Sequence, residues 1–300
     1  MRLELGIDNC FAVKRWPRTA DWGPIVRDQL GLRLIQHTFD LVDLAVDDPA
    51  ALRRDLGALD LVLHSTFTGL AAYSSNLLLH PEPAAAAAAE AWYRAAIDWT
   101  AAAGGIATGG HVGAFSVPDW TGPDARQARW SDLQASLGRL AEAARTAGLD
   151  HLLVENLASA REPSTMAMIR ELVTDGDDRH VPIRLCLDVG HMCVPATAGA
   201  ERDPYAWLKE VGGLATVVQL QQSDSAGDHH WPFTAARNAE GRIQADRLID
   251  ALGEGGVVAC ALILEVIPPF EQPDDEVLDD LRASVDYWRD ALDRRGVLGH

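Results

Sequence analysis

The chain has 300 residues, 48% hydrophobic and 23% charged, with a formal net charge of −18 and a sequence pI of about 4.8. This is an ordinary globular composition and excludes a disordered or collagen-like chain. An acidic excess of this size is repelled by nucleic-acid phosphates and anionic membranes, and no basic cluster offsets it, so neither is expected as a partner.

Short runs rich in Val, Ile and Leu alternate with longer Ala-, Leu- and Arg-rich stretches, predicting eight strand–helix units. A strand at residues 3–8 leads to a helix at 21–30, and a second at 33–38 leads to 48–56. The third pair is 61–65 with 83–103, the fourth 106–111 with 124–147. The fifth is 151–156 with 164–175, and the sixth 183–188 with 203–211. The last two are 216–221 with 244–252 and 259–265 with 274–294. Asp48 before Pro49, Asp203 before Pro204, and Ser164 are N-cap signals, and Gly104, Gly148 and Gly212 are stop signals.

Strands alternating with helices call for parallel pairing, and eight such units call for a (β/α)8 TIM barrel. No linker divides the chain, so residues 1–300 read as one domain. A doubly wound sheet is the alternative, but the segment after the first strand, DNCFAVKRW, carries no glycine-rich phosphate loop. The N-terminus, MRLELGIDN, enters strand-like sequence at once. The most apolar stretch, 257–267, contains Glu265 and is too short to span a bilayer. A cytoplasmic location is expected, with Cys10, Cys186, Cys193 and Cys260 reduced.

In such a barrel the active site lies at the carboxyl ends of the strands. Polar residues recur there. VLHS places His64, GGHVG places His111, and LLVEN places Glu155. LCLDVGH places Asp188 and His191, VVQLQQSD places Gln219 and Gln221, and LILEV places Glu265. Alternation along a strand puts Leu153 with Glu155, Gln219 with Gln221, and Ile263 with Glu265 on one face. A lone His at a strand end is usually structural, and a lone Glu usually pairs with Arg. Three carboxylates converging in one mouth repel each other, however, and no Lys or Arg run neutralises them. A divalent metal is the simplest solution. The loop GDHHWPF adds Asp228, His229, His230 and Trp231. Lys14 and Arg15 after the first strand are candidates for a phosphate or carboxylate contact.

VENLAS at Glu155, the DxxH of Asp188 and His191, the DxH of Asp228 and His230, and LILEV at Glu265 resemble the xylose-isomerase-like barrels. More narrowly they resemble the sugar phosphate isomerase/epimerase family, which is related to the type-IV apurinic endonucleases. The resemblance covers nearly the whole chain and also matches His64 and His111. It implies a metal held by Glu155, Asp188 and Glu265. The family's fourth ligand is a histidine near the seventh strand tip, where this chain has Gln221, with Gln219 as substitute. An all-oxygen set favours Mn2+ or Mg2+. The resemblance further implies a ketose or ketose-phosphate isomerase or epimerase. In it, Glu155 and Glu265 act as acid and base on an enediolate and His191 stabilises that intermediate. His64, His111, His191, Asp228, His230, Trp231, Lys14 and Arg15 then contact the sugar, in a possible homodimer or homotetramer. Decarboxylation of a 3-oxo sugar acid on the same site is the alternative reaction. A sugar-binding barrel with a degraded metal site is the non-enzymatic alternative. A nuclease is opposed by the charge.

Overall fold

The computed structural model describes residues 1–69, 72 and 77–299. Eight strands form a closed barrel in sequence order: β1 Arg2–Asp8, β2 Leu34–Thr38, β3 Val62–Phe67, β4 Ala107–Gly110, β5 His151–Glu155, β6 Ile183–Asp188, β7 Ala215–Leu220 and β8 Ala259–Leu264. Every neighbouring pair is parallel, and β1 pairs with β8 from Arg2↔Ala259 to Ile7↔Leu264, which closes the ring. The expected (β/α)8 architecture is therefore the observed one. Among the described residues no helix is long and apolar enough to cross a membrane.

The helices are α1 Thr19–Pro24, α2 Pro49–Ala58, α3 Pro83–Ala103, α4 Val117–Thr121, α5 Pro123–Ala147, α6 Met166–Leu172, α7 Pro204–Val211, α8 Ala235–Glu240, α9 Ala245–Glu254 and α10 Asp274–Arg295. Asp48 accepts a hydrogen bond from the Ala50 N–H and Asp203 from the Tyr205 N–H, as N-caps do. Gly104 and Gly148 end α3 and α5 in the left-handed conformation that lacks a Cβ penalty.

Four local expectations change. Thr165, not Ser164, caps α6. That helix also stops at Leu172, because Thr174 is drawn into an antiparallel bridge with Ile183. Gly212 closes α7 in right-handed geometry and the chain continues into a 3-10 turn, Gly212–Leu214. After Pro24, which has no N–H for the helical ladder, α1 widens into a π-turn at Ile25–Gln29. The short helices α4 and α8 sit inside βα loops and have no counterpart in the hydrophobic pattern.

The core has two concentric layers. Leu34, Phe67, Ala107, Leu153, Cys186, Val217, Ala261 and Ile263 fill the barrel. Their strand neighbours Ile7, Ile35, Leu185, Leu187, Val218, Leu220, Leu262 and Leu264 face outward against the helices, packing with Trp22, Trp207 and Trp288. Trp130 and Trp120 pack in the second helical cluster, so these indoles brace helices. Because Leu153, Cys186, Val217 and Ile263 point inward, the pleat directs Glu155, Asp188, Gln219, Gln221 and Glu265 inward too. Gly109 allows β4 to close on β5, since a Cβ there would lie 1.9 Å from the Leu153 carbonyl oxygen.

Candidate active site

The barrel mouth opens into a cavity of about 300 Å³. Glu155, His191, Asp228, His230 and Glu265 line it, with His111, Lys14 and Arg15. Asp188 and Gln221 lie beneath, both fully buried. Asp188 belongs to two sets of potential ligands whose donor atoms all lie within 4.8 Å of one another. One set is Glu155, Asp188 and His191. The other is Asp188, His230 and Glu265. The β6 carboxylate thus stands between the glutamates of β5 and β8.

The motif residues around it fix this geometry. The Asp188 carboxylate accepts from the backbone N–H of Gly190 at 2.6 Å and of His191 at 3.0 Å. Asn156 ties β5 to β6 by donating to the Asp188 carbonyl at 3.0 Å and accepting from its N–H at 2.9 Å. His191 Nδ1 lies 2.7 Å from the Asn156 carbonyl, so Nδ1 carries the proton and donates. Its Nε2 faces Asp228 at 3.3 Å. His111 is held by the Gly113 N–H on Nδ1 and by Glu162, 3.4 Å from Nε2.

Electrostatics follow from burying acids together. Burial pushes Glu155 up to about 8, against the pull of His191 and with a further push from Asp188. Burial, then Asp188 and Glu155, hold Glu265 well above the ordinary carboxylate range. Burial disfavours the charged form of His191, but Asp188 and Asp228 outweigh it and keep its pKa high. Burial pushes Asp228 up, yet the imidazoles of His191 and His230 hold it well below its usual value. Among the described residues Glu265 Oε2, which is buried, has no hydrogen-bond partner. An orphaned carboxylate oxygen beside two other carboxylates suits a divalent cation, which supplies the missing positive charge. Glu155, Asp188 and Glu265 could hold such an ion, and a third potential set, His191, Asp228 and His230, lies beside them.

Gln221 does not face that place as a ligand. Its carboxamide oxygen accepts from the His230 N–H at 2.7 Å and the Ser223 hydroxyl at 2.7 Å. Its NH2 group points at the carboxylates, donating to Asp188 at 3.0 Å and Asp228 at 2.7 Å. A carboxamide nitrogen has no lone pair to offer a cation. Gln219 is also engaged elsewhere, donating to Gln36 at 2.9 Å within the barrel interior.

Three other expected residues are placed differently. His64 is the extra residue at a register shift in the β2–β3 pairing, three residues before the end of β3, and lies beside His151, the first residue of β5, with ring centroids 6.3 Å apart. It is therefore at the amino end of the barrel, away from the mouth. Trp231 stacks on His229 at 4.0 Å and carries Arg237 over its other side at 4.0 Å, bracing the loop from outside the cavity. Arg15 reaches the cavity wall but spends its guanidinium on Asp274 at 2.6 Å and on the carbonyls of Pro269 and Phe270. Lys14 is exposed at the rim, in the left-handed region with φ 66°.

Asp8 and Asp40 also line the cavity. Asp8 ends β1 and is 2% exposed, and burial followed by the nearby Asp40 pushes it up to about 7. The strand-end rule that singles out Glu155 and Glu265 applies equally to Asp8 in LGIDN, so its signal was present in the sequence.

A closed parallel barrel with acids and histidines buried at its carboxyl-terminal mouth defines an enzyme. The profile of the family described as xylose isomerase-like TIM barrel matches residues 28–294. D-erythrulose 1-phosphate 3-epimerase of Brucella abortus (strain 2308) is 27% identical over 303 residues, covering 98% of this chain and 97% of that one. A crystal structure from Rhodospirillum rubrum ATCC 11170, assigned as a xylose isomerase, superposes with a TM-score of 0.87 at 33% identity, covering 96% of this chain and 99% of that one. An L-ribulose 3-epimerase structure shares the fold, with a TM-score of 0.71 at 22% identity over 99% of this chain and 95% of that one. This chain belongs to the xylose isomerase-like TIM barrel family.

Proposed function

We propose that the protein is a divalent-metal-dependent 3-epimerase of a short-chain ketose or ketose phosphate. One observation carries this reading. Glu155 and Glu265, from strands separated by β6 and β7, face one small cavity, and burial among other carboxylates raises both above the ordinary carboxylate range, so each favours holding a proton. One of them removes the proton from the carbon beside the carbonyl, and the other returns a proton to the opposite face of the same carbon. That inverts one centre. His191 is oriented by its Nδ1–H bond to the Asn156 carbonyl and kept protonated, against its burial, by Asp188 and Asp228, which leaves its Nε2–H for the oxygen on which negative charge develops. When bound, a divalent cation supplies Lewis-acid polarisation of the carbonyl, and Mn2+ or Mg2+ suits a set dominated by carboxylates. The volume of about 300 Å³ suits a small sugar. The relative from Brucella abortus, which bears the name of a tetrulose-phosphate epimerase, supports both the reaction and the size. Lys14 at the rim is the cation placed to meet a phosphate.

The test is incubation of purified protein with Mn2+ in D2O, using ketoses, ketose 1-phosphates and 3-oxo sugar acids, followed by proton NMR. Deuterium entering C3 together with the C3 epimer is the expected result. Deuterium accompanying CO2 release from an oxo acid, or no exchange with any of these compounds, overturns the reading.

A further inference from the structure

The resemblance implies an imidazole near the seventh strand tip, where this chain has Gln221 with its NH2 group turned toward the carboxylates. We infer that His230, from the loop beyond that strand, supplies the nitrogen donor of the cation site, with Gln221 and Asp228 as the residues that position it. This rests on the reading of the site as a metal centre.

The loop is built for such delivery. Gln222 and Trp231 form a two-bond antiparallel bridge, at 2.9 and 3.1 Å, that closes residues 223–230 into a short excursion back over the strand tip. At its end His230 adopts φ 48°, a left-handed conformation uncommon for a residue with a Cβ. The Gln221 oxygen holds it there, accepting from the His230 N–H at 2.7 Å. Gly190 makes room for that strut, because a Cβ there would fall 2.2 Å from the Gln221 carboxamide carbon.

The ring then has one side for support and one for the site. His230 Nε2 faces Asp228 at 3.4 Å, and Nδ1 lies 3.4 Å from the Glu265 carbonyl oxygen and 3.6 Å from Glu265 Oε2. Both Nδ1 separations are long for a hydrogen bond, and the second suits two donors sharing one cation. A carboxylate behind a ligating imidazole is the usual means of orienting it. His191 is the other imidazole nearby and its Nε2 also faces Asp228, but its Nδ1 donates to the Asn156 carbonyl at 2.7 Å, a tight bond, whereas the nearest partner of His230 Nδ1 is at 3.4 Å. Asp188, His230 and Glu265 already hold their donor atoms within 4.8 Å of one another.

The experiment titrates Mn2+ into metal-free full-length protein by calorimetry and records the electron spin echo of the bound ion. The wild type is expected to bind Mn2+ and show modulation from a directly bonded imidazole nitrogen. His230→Ala should bind more weakly and lose that modulation, and His191→Gln should keep it. Gln221→Ala should keep the modulation but bind about 10- to 100-fold more weakly, as loss of a supporting partner does. Circular dichroism checks that each variant is folded. Modulation persisting in His230→Ala, or absent from the Mn2+-loaded wild type, overturns the inference. No Mn2+ binding by the wild type overturns the metal reading as well. Nitrogen-coordinated Mn2+ without sugar turnover overturns only the proposed reaction.

Discussion

Asp8 offers a test of the electrostatics that does not depend on knowing the substrate. It is 2% exposed, and burial with the neighbouring Asp40 raises it from 3.8 to about 7. A carboxyl whose folded pKa is raised binds more protons folded than unfolded, so stability is lost as pH climbs from 3.8 to about 7. At roughly 1.4 kcal/mol per pH unit, the ceiling is about 4 kcal/mol above pH 7. Asn at this position cannot ionise and escapes that cost. Its carboxamide oxygen can also keep the bond that Asp8 Oδ1 accepts from the Cys10 N–H at 2.7 Å. Asp8→Asn should therefore be more stable than wild type at pH 8, by roughly 2 to 4 kcal/mol, or about 4 to 8 °C in Tm for a chain of this size. The gain should shrink steadily and vanish near pH 4. Thermal unfolding in EDTA at several pH values measures it. A difference between the two proteins that does not change with pH, or an Asn variant less stable at pH 8, refutes the reasoning.

Other residues give sharper single outcomes. Glu265→Gln should lower kcat by about 100- to 10,000-fold with an unchanged circular dichroism spectrum, and a wild-type rate would remove Glu265 from acid–base duty. Lys14→Ala should raise KM for a ketose phosphate about tenfold while leaving KM for the unphosphorylated sugar alone, the size expected of one exposed charge-assisted contact. An equal change for both sugars would mean Lys14 does not meet phosphate. Glu90 links α3 to α5 through Arg139 at 2.6 Å, and that guanidinium first, then Arg94, holds it down at about 2. The pair is partly solvated, so Glu90→Gln should cost only about 0.5 to 1 kcal/mol at pH 7. That cost should disappear as pH falls from 4.5 through about 2, and urea titrations across that range decide it. Gly109→Ala should destabilise by roughly 3 kcal/mol or more, since its methyl would overlap the Leu153 carbonyl, and a near-neutral effect in urea would mean the strands can part there.

The barrel was legible because its signal is periodic and repeated. All eight strands fall within two residues of their expected ends, since each run is short and bounded by turn residues and most are rich in Val, Ile and Leu. The elements that were not legible are those without periodicity. Helices α4 and α8 are one or two turns long, and both are capped by a side chain, Ser116 and Thr234, rather than defined by an apolar face. The early end of α6 depends on a bridge to Ile183, a contact that no local pattern encodes.

At the site, the sequence shows which groups arrive but not which way they turn. Glu155, Asp188 and Glu265 were legible because strand alternation alone determines the side of the sheet on which a carboxylate sits. His64 lies toward the amino end because β3 runs on to Phe67, beyond the expected end at residue 65, and His64 is itself the extra residue between Leu63 and Ser65 in the pairing with β2. Gln221 and Trp231 needed knowledge of their partners. An amide has a donor end and an acceptor end of nearly the same shape, and the backbone N–H of His230 selects the acceptor. Trp231 stands beside His230 in sequence, yet the bridge from Gln222 sends the two rings apart, one into the cavity and one onto His229. The same bridge thus accounts for the aromatic residue leaving the site and the imidazole lining it, so a strand that ends in glutamine is still followed by an imidazole at the cavity.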